Sequence, residues 1–489
     1  MLSLIPKKEV ITPLKNICPA FPRFLSTKKC VNTSSLDYKH RYLPHTLETR
    51  KKILATLGIN SIDELFKTIP ENARFTSFSA FDHCGMTEPQ VYEAISKMAD
   101  KNKDTTHSPF FLGAGIYKHY IPSVVDHTIQ RGEFLTAYTP YQPEVSQGTL
   151  QTMFEFQTLV CLLTGMDVAN ATMYDGSTAV SEAVQMACRT TRRKKVIISG
   201  GLHPHYSEVI KTSAKHSRVV DCDFLEPDVN GNEKDNIISK INDQTACVVI
   251  QNPSFFGYVR DLKEIADACH KHKALLIGAI SEIVSCGLIK DMGSMGVDIV
   301  AGEGQSLGLP MSFGGPHVGL FSTKQKYMRQ MPGRLVGETE DTDGERGYCL
   351  TLGTREQHIR RETATSNICT SAGICAIAFS IHLALLGEHG FKDLAKLNHA
   401  KAFKLVELIK KEIPSIKVLN DTFFNEVTLQ LPINAKECVD KLAEKNIFAG
   451  VPVSKFFGQK YDNLLLVAST ETNSDEQIQQ FVDALKKLC

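Results

Sequence analysis

Glu303, Gln305 and Ser306 are the polar side chains that follow the apolar run in DIVAGEGQSLGLPMSFGGPHVG, residues 298–319. An apolar strand that runs into a glycine-rich loop is where an α/β enzyme holds an anionic ligand or a cofactor. No lysine, cysteine or histidine stands beside this strand end to act as a nucleophile or to trap a carbonyl. A dinucleotide fingerprint fails as well. In GEGQSLG the third glycine comes one residue late, and Pro310 prevents the loop from opening a helix.

A better anion cradle is YDGSTAVSEAVQMACRTT, residues 174–191, in which Gly176, Ser177 and Thr178 introduce an amphipathic helix with free N–H groups. Asp175 opposes a phosphate there, since two unit charges about 5 Å apart repel by roughly 3 kcal/mol at an effective dielectric of ~20. Phosphate binding, and simple capping of the helix by Asp175 or Ser177, both remain open. His203 and His205 flank Pro204 without a neighbouring carboxylate, which makes HPH a poor metal site; no other metal ligand set is indicated. Lying just past a strand, His203 could instead stack on a flat ring. The basic run RTTRRKK, residues 189–195, reads as a solvated helix end whose cations favour the dipole. Two further stretches are unusual. One gathers Tyr138, Thr139, Tyr141, Gln142, Glu144 and Gln147 around two prolines. The other gathers Arg355, His358, Arg360, Arg361 and Asn367. Aromatic, amide and guanidinium groups packed so densely suit recognition of a polar or anionic ligand, with a structural loop network as the alternative.

The elements that must position these groups alternate along the chain. KKVIIS, RVVDCDF, ACVVIQNP, ALLIGAI and VDIVAG are short β-branched runs, and HYSEVIKTSAKH and DLKEIADACHKHK between them have helical spacing. That pattern predicts parallel βαβ units and a sheet covered on both faces. We expect a helical segment over residues 38–110, with Ser61 capping one helix, a large α/β domain over 111–335, and a C-terminal α+β domain with a small antiparallel sheet over 336–489. A long helix is expected from Ile374 onward.

A length of 489 residues suits two or three domains. The formal net charge of +1 lacks the basic excess of a nucleic-acid binder. No run is expected to reach the ~18 apolar residues that span a bilayer. Fourteen cysteines without a CxxC pair indicate neither a disulfide framework nor a zinc site. Residues 1–37 differ from the rest. Over residues 1–35, Lys7, Lys8, Lys15, Arg23, Lys28 and Lys29 face a single acid, Glu9, amid serine and threonine. That composition predicts an organellar transit peptide rather than a secretory signal, with Arg23-Phe24-Leu25-Ser26 resembling a matrix-peptidase site; a disordered basic tail is the alternative.

Three stretches carry a family resemblance: YTPYQPEVSQGTLQTMFEFQTLVCLLTGMDVANATMYDGSTA, GEGQSLGLPMSFGGPHVGLFSTKQKYMRQMPGRLVGETEDTDGERGYCLTL and REQHIRRETATSNICT. They resemble the glycine cleavage system P-protein, and more narrowly the α chains of its two-subunit form, from Tyr38 to Cys489. The resemblance implies the α/β fold of type I pyridoxal-phosphate enzymes, with a mostly parallel seven-stranded sheet and a smaller C-terminal domain. It implies removal of carbon dioxide from glycine and transfer of the aminomethyl group to the lipoyl arm of H-protein, with pyridoxal 5'-phosphate as electron sink. Competent relatives carry a lysine after the strand matching DIVAG. Aligned from Asp298, its slot falls near Ser306, and Ala279 and Ile280 stand where an aspartate would face the pyridine nitrogen. On this reading no residue of the chain is catalytic, and Asp175, Gly176, Ser177, Thr178 and His203 form a vestigial cofactor loop. The cofactor belongs to a partner β subunit in a heterotetramer of two α and two β chains, in a mitochondrial matrix or a related organelle. The segments around Tyr138–Gln147 and Arg355–Asn367 complete the partner's site and the lipoyl channel. Thr363 departs from the family's RREKATSN by replacing a lysine, which removes a charge there. A purely structural partner, or a stand-alone pyridoxal enzyme using Lys324, are the competing readings.

Overall fold

In the computed structural model, residues 46–74, 86–105, 108–135, 138–216 and 220–489 are described. The expected transit peptide lies outside them. The described residues form two compact units, one ending at Asn102 and one running from Lys103 to Cys489.

The first unit is helical. Thr46 caps the helix Leu47–Thr56 through a bond from Thr49 N, and Thr87 with Gln90 forms a capping box ahead of Glu88–Ala99, which carries Pro89 in its first turn. Between them lie the 3₁₀ stretches Ile62–Phe66 and Glu71–Ala73, and at the first of these Ser61 makes no side-chain cap. Its expected role is taken by Glu64, whose carboxylate reaches back to Asn60 N at 2.8 Å.

The second unit is built on a seven-stranded sheet. Its strands are β1 Val168–Ala169, β2 Lys195–Ile198, β3 Asp221–Phe224, β4 Thr245–Gln251, β5 Leu275–Ile280, β6 Ile299–Glu303 and β7 Gly319–Thr323, in the order β1-β7-β6-β5-β4-β2-β3. The five predicted runs supply β2 to β6, which pair in parallel. The short β1 and the antiparallel β7 carry no such run and escaped the sequence reading. Side chains alternate between two cores. Leu276, Ile280, Val248, Ile250 and Val300 pack on one face, and Leu275, Ile277, Ala279, Val249 and Ala301 on the other. This two-sided burial is why the strands are apolar throughout rather than alternating. Ile277 is fully buried, and truncating it to alanine costs about 2–5 kcal/mol.

A two-stranded hairpin follows, β8 Leu335–Glu340 with β9 Arg346–Thr351. A four-stranded antiparallel sheet closes the chain, in the order β10 Lys417–Val418, β11 Glu426–Gln430, β13 Leu464–Ala468, β12 Val451–Pro452. Its core takes Phe111 from far upstream, stacked on Phe481 with ring centroids 4.5 Å apart.

Two expectations need correction. The helix Gly373–Glu412 is long and apolar enough by composition to cross a membrane, although no such run was expected. Half of its apolar window is buried, it packs on Gln147–Thr164, and Gly387 at φ +60° interrupts it. The basic run 189–195 is a solvated helix end only in part: Arg192 and Lys194 are exposed, but the other two arginines are engaged. Arg189 donates to Gln330 O, and Arg193 to Thr245 O and His272 O. These guanidinium groups satisfy carbonyls at the start of β4 and at the ends of the helix Lys263–Lys271 and the 3₁₀ turn Gln325–Gln330, which a helix-end reading does not foresee.

Candidate functional site

The carboxyl ends of β2, β4, β5 and β6 meet the amino end of the helix Gly176–Thr191, the usual ligand-binding edge of an open α/β sheet. Glu303, the last residue of β6, is 3 % exposed and fills this corner. One carboxylate oxygen accepts from Gly176 N at 3.0 Å and from His317 Nδ1 at 3.1 Å. The other accepts from Gly304 N, Gln305 N and Val318 N at 3.1, 3.0 and 3.2 Å. Asp175 caps the same helix, accepting from Thr178 N at 2.9 Å, Thr178 Oγ1 at 2.8 Å and the Ser177 hydroxyl. Capping is therefore the reading the geometry supports for Asp175. Gly176 must be glycine, because a Cβ there would collide with the Tyr206 hydroxyl and the Glu303 backbone. Burial first, then the charges of Glu303 and Asp175, push the Tyr206 phenol well above its ordinary value, and the bond to Glu303 holds the His317 imidazole above its own.

His203 follows β2 and is buried. Its Nδ1 accepts from His205 N at 3.1 Å, and its Nε2 donates to Ala114 O at 2.7 Å. Gly115 lies against the ring so closely that a Cβ there would sit 2.7 Å from it. Phe255 packs edge-on at 5.2 Å and Tyr206 tilts over it at 5.0 Å. Burial lowers the imidazole pKa to about 4, so the ring is neutral. The expectation that His203 stacks on a ligand is corrected: its surroundings are this chain's own residues. Ser306 is buried in the turn after β6, and Gln305 bonds Leu309 O at 2.8 Å and accepts from Tyr117 N at 3.4 Å. Lys324 lies at the opposite edge of the sheet, with Nζ 3.1 Å from Asp298 Oδ1. That placement removes it as an alternative nucleophile.

A second cluster joins the two polar stretches through Arg334, which the sequence reading missed. Its side chain is buried and donates to Thr139 Oγ1 at 3.2 Å, Tyr141 Oη at 2.5 Å and Cys369 O at 2.6 Å. Its Nε lies 3.4 Å from Glu356 Oε2, and its guanidinium carbon sits 4.7 Å above the Tyr141 ring. The only hint was its place before β8, where a charge interrupts an apolar run. Tyr138, Tyr141, Gln142, Glu144, His358, Arg360 and Asn367 are exposed around this cluster, and Thr139 is half-buried. Arg355 is corrected. Each of its three guanidinium nitrogens already bonds a main-chain carbonyl, of Leu352, Met331 or Gly333, so the group braces the loops instead of standing free for a ligand. Gln147 likewise clamps Tyr348 from both sides of its amide. Among the described residues no group of three His, Cys, Asp or Glu could hold a metal.

Behind the turn after β6 lies a buried acidic network. His119 bridges Glu282 and Glu471, 2.9 Å from each. Burial opposes its charge, but the two carboxylates prevail and lift its pKa to about 10. Glu426 accepts from Ala114 N at 2.6 Å and Tyr117 Oη at 2.8 Å, and burial raises its pKa to about 7.

A sequence model of the family described as "Glycine cleavage system P-protein" matches residues 40–485. This chain belongs to that family. A protein of Maricaulis maris named "Probable glycine dehydrogenase (decarboxylating) subunit 1" is 53% identical over 447 residues, covering 91% of this chain and 99% of its own length. A protein of the same name in Rhodospirillum rubrum is 52% identical and covers 92% and 100%. A crystal structure of glycine decarboxylase (P-protein) of the glycine cleavage system, in inhibitor-bound form, superposes with a TM-score of 0.80 at 38% identity, over 92% of this chain and all of that one. A glutamate decarboxylase of Lactobacillus brevis, at 14% identity and a TM-score of 0.62 over 85% of this chain and 95% of its own, shares the fold alone. The P-protein chain thus has the type I fold of pyridoxal-phosphate enzymes. Its own residues do not fit that cofactor. The turn Glu303–Leu309 has no lysine, Ala279 and Ile280 at the end of β5 offer no carboxylate, and the helix amino end meets Glu303 and Asp175.

Proposed function

We propose that this chain is the cofactor-free half of a glycine-decarboxylating enzyme, completed by a homologous, lysine-bearing subunit. The observation that carries this reading is the absence of any lysine from Glu303 to Leu309, in a chain that follows the P-protein fold over 92% of its length. An amine is needed to hold a carbonyl cofactor covalently, and no hydroxyl or amide can replace it. Pyridoxal phosphate in the partner supplies the electron sink for decarboxylation. The contribution of this chain is positioning. Its exposed Tyr138, Tyr141, Glu144, Arg360 and Asn367 face outward around Arg334, where they can line the partner's site and receive the lipoyl arm of H-protein. A heterotetramer of two such pairs is the assembly we favour. We also propose that residues 1–37, which precede the matched family region, address the chain to a mitochondrial matrix or related organelle.

The test is reconstitution. Alone, the purified chain should release no carbon dioxide from carboxyl-labelled glycine; with the lysine-bearing partner and lipoylated H-protein it should. Alanine at Tyr141, Glu144 or Arg360 should leave the complex assembled and reduce turnover. Full turnover in all three variants would instead establish a purely structural subunit.

A further inference from the structure

Glu303 is more than an obstacle at an empty position. Its carboxylate accepts from four backbone N–H groups and one imidazole, drawn from three parts of the chain: the helix start at Gly176, the turn at Gly304 and Gln305, and the strand entry at His317 and Val318. Convergent main-chain N–H groups at a helix amino end are the arrangement by which proteins bind phosphate. Here every one of these donors is satisfied from within. We propose that Glu303 is a built-in anion that permanently occupies the cup in which a phosphate monoester would bind, so that the chain is closed to phosphorylated cofactors by a charge it carries itself. The proposal deepens the reading of a cofactor-free subunit and rests on it.

Two features support permanence. The carboxylate belongs to the last residue of a central strand, paired with Gly319 of β7, so displacing it means rearranging the sheet edge rather than swinging a loop. Asp175, the cap of the same helix, adds a second carboxylate near Tyr206 and His317. An incoming phosphate dianion would meet both. The cup should therefore reopen in steps. Removal of Glu303 frees the donors, and replacing Asp175 with asparagine keeps the cap while removing the remaining charge.

The experiment compares the isolated wild-type chain with E303A, E303Q and the double variant E303A/D175N, using inorganic phosphate against chloride at matched ionic strength. Wild-type and E303Q, whose amide still fills the space, should show no phosphate-dependent change in Tm. E303A should gain about 2 °C at a phosphate concentration ~10-fold above its Kd, and E303A/D175N should bind more tightly than E303A. If E303A fails to fold, nuclear magnetic resonance of His317 decides: its bond to Glu303 holds the imidazole pKa above the ordinary value in wild-type, and the pKa should fall in E303Q. Phosphate stabilising wild-type as much as E303A overturns the proposal. So does a folded E303A that ignores phosphate, or an unchanged His317 titration in E303Q. A wild-type chain that turns yellow stoichiometrically with pyridoxal phosphate overturns the cofactor-free reading too, which separates the two failures.

Discussion

Arg334→Met is the substitution whose outcome the geometry fixes most narrowly. Methionine keeps much of the buried volume but leaves Glu356, itself 9 % exposed, without its cation, and leaves Cys369 O, Thr139 and Tyr141 without their shared donor. Breaking a buried ion pair costs about 3–5 kcal/mol. The lower end applies here, because the Nε–Oε2 separation is 3.4 Å and His358 lies 3.5 Å from the same oxygen. Tyr141 is 62% exposed, so its loss of cation–π contact adds no more than about 1 kcal/mol. The unit from Lys103 to Cys489, at about 2.1 cal/mol/K per residue, unfolds with an entropy near 0.8 kcal/mol/K, and a loss of about 3 kcal/mol therefore lowers Tm by ~4 °C. Scanning calorimetry of the isolated chain reads this directly. Turnover of the reconstituted complex reads its second consequence, because the Tyr138–Glu144 and Asn367–Thr370 segments lose their common anchor. Arg334→Lys should fall between, keeping the charge but unable to span three acceptors. A methionine variant within ~1 °C of wild-type and with full turnover would refute the claim that Arg334 holds these segments.

Other outcomes follow from the buried charges and the exposed rings. Burial raises the Glu426 carboxyl to a pKa of about 7, above its unfolded value of 4.5. Its protonated form is thus the one the fold favours, and stability present below pH 4.5 is lost as pH rises toward 7, by at most about 1.4 kcal/mol per pH unit. Glu426→Gln should flatten that fall in urea titrations taken between pH 4.5 and 8. His119, raised to about 10 between Glu282 and Glu471, contributes stability fully present below pH 6.5 and lost as pH climbs through 10. His119→Gln should cost about 3–5 kcal/mol near neutrality by stranding two buried carboxylates, and the cost should shrink when unfolding is repeated at pH 10. Phe313 is fully exposed, on a left-handed backbone at φ +57°. Phe313→Ser should leave the Tm of the isolated chain unchanged and weaken capture of the lysine-bearing partner by roughly tenfold or more in surface-binding measurements.

The sheet was legible because its central strands are buried on both faces and so read as unbroken apolar runs, as in TACVVIQ and LLIGAI. β1 is two residues long and β7 is antiparallel, so neither has a pattern of its own. At the site, the turn after β6 could be located and its lack of a lysine read directly. What fills the corner could not be, because Glu303 acquires its meaning from Gly176, more than a hundred residues upstream. Arg355 and Arg334 show the same limit from both sides. Residue type marks an arginine as able to bind an anion, but only the fold shows that Arg355 is spent on carbonyls while Arg334 organises the exposed segments.

The Phe110–Tyr120 segment joins residues made early to residues made last. Phe111 O accepts from Ala468 N, Ala114 N donates to Glu426, and His119 contacts Glu471. On a ribosome this stretch would emerge long before any of its partners exists, so loop-closure entropy must be met across more than three hundred residues before the segment can dock. The turn carrying Gln305 waits on the same event, since Tyr117 N reaches it. Nascent chains halted before Glu426 should therefore expose Phe111 and Tyr117 to chaperones or proteases, and completion of the final strand should be the step that hides them.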